Sequence, residues 1–151
     1  MKKILIGFLI NFFLCSLAFG AGSVTVTSEK VSKNMRIITF DWTADATNGT
    51  VPEADDTEAV TGYITQILTV PNSSSPPTDN YDIILRDIVG NKGDYIDVIN
   101  GNLLDRDSNN PELFLSTIKP YIDNKILGFI LAGNSVNSAK GKCIITIEIS
   151  R

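Results

Sequence analysis

The chain reads as an all-β protein, an antiparallel β-sandwich of immunoglobulin-like or jelly-roll character with about seven strands. Three observations lead there. Apolar and polar side chains alternate with period two in several short runs, most clearly from Cys143 to Ile149. Clusters of Gly, Pro, Asn, Asp and Ser separate these runs at short intervals, as turns between sandwich strands do. Only one segment, residues 111–119, carries helix signals.

The N-terminus has a different character. Met1-Lys2-Lys3 is a short basic start, and Ile4 to Leu14 is apolar except for Gly7 and Asn11. Ala18 and Gly20 then put small residues where a signal peptidase reads before Ala21. Residues 1–20 are thus expected to be a signal peptide, with 21–151 as a single domain exported to the periplasm, cell surface or medium. An uncleaved anchor is the competing reading, because a span needs roughly 17 apolar residues or more. The cleavage site and the lack of a basic flank after it favour removal. Phe12-Phe13-Leu14 lacks the small residue that a lipobox places ahead of its cysteine, here Cys15.

In the domain, Ser23 to Thr27 alternates as a first strand. Met35 to Thr43 is a second, whose Ile38, Phe40 and Trp42 share a face expected to be the core face. Residues 44–59 turn acidic, with Glu53, Asp55, Asp56 and Glu58 read as a solvated loop. Val60 to Val70 is apolar on both faces, which suits a central strand covered on both sides or partly at an interface. Pro71 to Asn80 ends it.

A hairpin follows, Tyr81 to Val89 and Tyr95 to Ile99 around Gly90-Asn91-Lys92-Gly93, with Asp105-Arg106-Asp107 as a polar corner beyond it. Asn110 as cap, Pro111 at the first helical position and Glu112 in the first turn then predict a helix of about two turns, ended by Pro120. Its Leu113, Phe114, Leu115 and Ile118 are expected to cover an open end of the sandwich. Ile126 to Ala132 and Lys142 to Ser150 are the last two strands.

Composition narrows the chemistry. The 151 residues include no histidine, which removes Ser-His-Asp and Cys-His catalysis and every imidazole zinc site. With 13 basic against 17 acidic residues the net charge is −4, and loss of Lys2 and Lys3 with the leader lowers it to −6. Such a balance, without a basic cluster, argues against nucleic-acid binding. After cleavage Cys143 is the lone cysteine, and the alternation around it places it in the core.

The acidic residues Asp87, Asp94, Asp97, Asp105 and Asp107 gather in sequence around the hairpin. Paired carboxylates at roughly 5 to 9.5 Å can hydrolyse glycosides, and carboxylates bind calcium. Asp beside a turn also arises because it accepts backbone hydrogen bonds there. No enzyme, metal site or cofactor is expected on this basis, and calcium at Asp94, Asp97, Asp105 and Asp107 stays open. Asn48-Gly49-Thr50 and Asn72-Ser73-Ser74 match the N-glycosylation pattern, a chance match beside a leader of bacterial form.

Gly62-Tyr63-Ile64, the loop Pro71 to Asn80, Tyr81-Asp82, the turn Gly90 to Asp94, Asp105-Arg106 and Gly133-Asn134-Ser135 follow one another in a recognisable order. Over roughly Thr61 to Ile149 this resembles small virion structural proteins of tailed bacteriophages. The resemblance implies a non-catalytic β-sandwich that packs against copies of itself or other proteins. The expected function is therefore structural assembly or surface interaction, including an N-terminal strand lent to a neighbour's sheet. The alternative is a secreted glycan-binding module, with or without calcium, using Trp42, Tyr63, Tyr81 or Tyr95 as a platform.

Overall fold

Period-two alternation is realised as strands almost wherever it occurs. The computed structural model describes residues 20–88, 95–97, 106–115 and 119–150. The expected leader lies outside these residues except for Gly20. Among the described residues there are nine strands and no helix: β1 (Ser23–Ser32), β2 (Met35–Thr43), β3 (Ala54–Asp55), β4 (Val60–Pro71), β5 (Asp82–Ile88), β6 (Tyr95–Asp97), β7 (Glu112–Leu115), β8 (Tyr121–Ala132) and β9 (Lys140–Ile149). All pairings among them are antiparallel.

Two layers share one long strand. The first runs β1-β2-β9-β4, and the far edge of β4 is divided between two partners. Val60 to Tyr63 pair with the start of β8, while Gln66 to Thr69 pair with β7. Between these stretches β8 departs. Asn124 has a left-handed φ of 51°, and its backbone N–H donates to the Thr61 hydroxyl at 2.9 Å. Beyond this irregularity β8 runs in the second layer, ordered β6-β5-β8-β3, so a bulged strand turns the corner between sheets. β3 then lies near β1, which brings the body close to closure.

Inner-facing residues of both layers make one core. The Phe40 and Phe129 rings stack across it with centroids 5.0 Å apart, and Trp42 leans on Tyr81 at 6.1 Å. Ile38, Phe40 and Trp42 are buried, so β2 presents the expected face to the interior. Trp42 sits opposite Gly141 of β9 and lies across it; a Cβ there would come 2.6 Å from Cζ2 of the indole. Ile64, Ile67, Ile145 and Ile147 fill the same space. Each such side chain, fully removed from water, contributes roughly 1.5 to 3 kcal/mol. Cys143 is buried among them, and burial pushes its thiol up to about 12.

The hairpin expectation holds in its paired part, where Arg86, Asp87 and Ile88 face Asp97, Ile96 and Tyr95. Its turn, 90–94, falls outside the described residues. The helix over 111–119 is corrected: Glu112–Leu115 is strand β7, paired with Thr69 through Gln66. Between Pro111 and Pro120 there is too little chain for a helix stable on its own. The departure of β8 also leaves backbone groups of β4 open beside it, and pairing them outweighs the cap signals. Leu113 and Leu115 point outward rather than over an end of the sandwich, Phe114 packs on the core, and Ile118 is not among the described residues. The two strands beyond the expected seven are the short β3 and β7.

Candidate interaction surface

The acidic run 53–58 is solvated only in part: Glu53 and Glu58 stay mostly exposed, whereas the Asp56 side chain is buried. It is a strap that closes the gap between the layers by neutralising two buried arginines. Arg36 shares the core face of β2, and its Nε donates to the Ser28 hydroxyl at 2.7 Å, which in turn donates to Asp56 Oδ2 at 3.2 Å. Arg36 Nη2 lies 2.7 Å from Glu58 and 3.8 Å from Asp56, whose side chain is fully buried. On the outer side of the second layer, Arg86 Nη2 reaches Glu53 at 2.9 Å and Asp55 at 3.4 Å. It passes over Gly128, where a Cβ would come 2.6 Å from Arg86 Nε and 2.9 Å from Asp55 Oδ1. Buried guanidinium groups need such partners, because an unpaired buried charge costs several kcal/mol.

The polar corner is likewise structural. Arg106 is buried, exchanges backbone hydrogen bonds with Tyr81 and Asn80, pairs with Glu112 at 3.1 Å and stacks 4.4 Å above the Phe114 ring. Asp107 Oδ1 accepts the backbone N–H groups of Asn109 and Asn110 at 2.7 and 3.2 Å, and Oδ2 accepts Asn110 Nδ2 at 2.8 Å. Those bonds, the Asn110 side chain foremost, hold its carboxyl below the usual aspartate value. A carboxylate so engaged is a turn cap rather than an open ligand. Asp87 and Asp97 sit on adjoining strands of the hairpin, whereas Asp94 and Asp105 lie outside the described residues. Among the described residues no three Cys, Asp or Glu side chains converge as a metal site would require.

Of the expected platform aromatics, Trp42 and Tyr81 are in the core, and burial lifts the Tyr81 phenol to about 12. Asn48 and Asn72 cap their own turns: the side-chain oxygen of Asn48 accepts from Thr50, and that of Asn72 from Ser74 and Ser75. Tyr63 is exposed and meets Tyr121 at 4.9 Å with the rings tilted by 49°. A hollow of about 350 Å³ lined by Tyr63, Lys119, Glu148, Ile149 and Ser150 opens beside the pair.

That pair belongs to a larger surface, the outer face of the first layer. Strand register arranges it in cross-strand rows. Asp41, Lys142 and Val70 form one end; then come Thr39, Ile144, Leu68 and Leu113; then Ile37, Thr146, Gln66 and Leu115; and Met35, Glu148, Tyr63 and Tyr121 form the other end. Leu113 is 50% exposed, Leu115 69%, Tyr63 41% and Tyr121 51%. A sheet face that looks only to water ordinarily carries polar residues. Here Ile144, Leu68, Leu113, Ile37 and Leu115 put aliphatic groups among Thr39, Thr146 and Gln66 in the middle rows. The Asp41–Lys142 pair at 2.8 Å and the Glu148–Lys119 pair at 3.2 Å charge the two ends, and Glu29 of β1, opposite Ile37, adds a charge at the β1 edge.

Sequence reading reached part of this surface through the two-sided apolar character of Val60 to Val70. It missed Leu113 and Leu115, because a helix was expected there. The signal was present in Glu112-Leu113-Phe114-Leu115, which alternates with period two. Comparison with models of known families, with curated proteins and with solved structures finds no match.

Proposed function

We propose that the protein is an exported, non-enzymatic contact module whose outer first-layer face packs against protein in structural assembly or surface interaction. The observation that carries this reading is the aliphatic centre of that face, with Leu113 and Leu115 held outward on a strand. Contiguous exposed apolar surface on a folded domain marks a place where something docks. The absence of histidine agrees with contact rather than turnover, and so does the resemblance of 61–149 to virion structural proteins. The buried polar groups around Arg36, Arg86 and Arg106 are accounted for by internal pairing, which leaves the apolar face as the feature needing an external partner.

A photo-crosslinking side chain at position 115 in the intact exported protein tests this directly. Adducts with protein are expected there and not from the same group at Thr57, which is exposed on the strap. Equal yields, or none at 115, defeat the reading.

One observation favours glycan binding as a second reading: the exposed Tyr63–Tyr121 pair beside an open hollow. Tilted rings offer a sugar one face rather than a flat platform. A glycan array with and without chelator decides it, since this reading needs signal that Tyr63→Ala abolishes.

A further inference from the structure

We infer that the occupant of the outer first-layer face is a second copy of this chain, related by a two-fold axis that crosses β9 between Ile144 and Thr146. The inference rests on the contact-module reading and names its partner. On β9 the outward side chains run Lys140, Lys142, Ile144, Thr146, Glu148, positive at one end and negative at the other. An axis lying in the interface across this strand sets Lys142 against the second copy's Glu148, and Glu148 against its Lys142. The same operation brings Leu113 against Leu115 on β7, so aliphatic groups meet in the middle while opposite charges meet at both ends. A two-fold interface demands this kind of self-complementarity.

Charge favours the arrangement locally although the chain is acidic as a whole. The face carries the Asp41–Lys142 and Glu148–Lys119 pairs, with Lys140 beyond the first and Glu29 of β1 opposite Ile37, against a net −4 for the chain. In the dimer the two pairs become chains of alternating sign, from Asp41 through Lys142 to the second copy's Glu148 and Lys119. Size is sufficient as well. Four strands ~4.8 Å apart and four rows ~6.8 Å apart make a face of ~500 Å², hence ~1,000 Å² across two copies, where specific interfaces begin.

The test uses light scattering and sedimentation on the intact domain, with Lys142→Glu, Glu148→Lys and an equimolar mixture of the two. Each single variant sets like charges together at both ends, so its self-association is expected to weaken by about ten- to thirty-fold. Mixing restores association as a heterodimer: one variant is acidic at both positions and the other basic at both, so opposite charges meet at each end. Both positions are exposed, and a thermal melt of each variant guards against misfolding. Leu115→Lys, which puts charge at the aliphatic centre, is expected to give a monomer. A monomeric wild-type protein overturns the inference, and so does a mixture no tighter than its components or a dimer indifferent to Leu115→Lys. Should the wild type be monomeric while position 115 still crosslinks to another protein, the contact reading stands and only the second copy falls.

Discussion

Cys143 shows how a single side chain reports on the core. Its thiol is fully enclosed between Phe40 and Thr69 as cross-strand neighbours, and burial raises its pKa from 9.0 to about 12. Tyr81 is raised from 10.0 to about 12, chiefly by burial. Both groups hold their protons more tightly in the folded chain than in the unfolded one. Their contribution is therefore intact below about pH 9 and is lost as pH rises from there through about 12. Denaturant midpoints are expected to fall across that window, and Cys143→Ala should flatten the first part of the slope while lowering the baseline by about 1 kcal/mol. A thiol reagent at pH 8 should leave native Cys143 unmodified and react only after unfolding. Alternation in the last strand made this burial legible in the sequence. Gly128 was not legible, because nothing in its own neighbourhood announces that an arginine from another strand crosses it. Gly128→Ala is expected to displace Arg86 from Asp55 and Glu53 and to destabilise the domain by about 1 to 3 kcal/mol, measured by urea unfolding.

At the scale of elements, the strap 53–58 and strand β7 are where sequence and structure part. Glu53, Asp55, Asp56 and Glu58 looked solvated because charge runs usually are. The clue lay at a distance, in Arg36 holding the same parity as Ile38, Phe40 and Trp42 on β2. A cation on the core side of an alternating strand requires an acid from elsewhere, and only a strap crossing from β2 toward β4 could bring one. The two acids around Arg36 are unequal. Asp56 is fully buried and also accepts from Ser28 and Thr57, whereas Glu58 is 72% exposed. Asp56→Ala is expected to cost about 2 to 4 kcal/mol, since it strips partners from a buried guanidinium, while Glu58→Ala costs about 0.5 kcal/mol because water replaces it. Similar losses for the two in urea unfolding would mean that the strap works by other forces. β7 misled for a different reason. Its cap residues are genuine helix signals, but they are local, and the vacancy left by β8 on the edge of β4 is a tertiary fact that no local window contains.

For the whole molecule, the all-β architecture was legible because alternation and turn chemistry agree along nearly the entire described chain, and agreement across levels is what specifies a fold. The sharing of β8 between layers was less so, since its only marks are Asn124 and the polar start of the strand. What the fold accomplishes is a division of labour between faces. The inner faces hold the aromatic core, the strap and the Arg106 corner hold the buried charge, and the outer first-layer face keeps Leu113, Leu115, Tyr63 and Tyr121 exposed. That division has a measurable consequence. Leu115→Lys replaces a side chain that is 69% exposed on a short edge strand, so it should change the unfolding free energy by no more than about 0.5 kcal/mol. The same substitution should remove the protein adducts formed from position 113, its neighbour on that face. A core residue behaves in the opposite way: Phe129→Ala, which empties one half of the Phe40 stack, should cost about 3 to 5 kcal/mol. If Leu115→Lys destabilised the domain as severely as the loss of Phe129, the outer face would be part of the folding core, and its apolar character would need no partner to explain it.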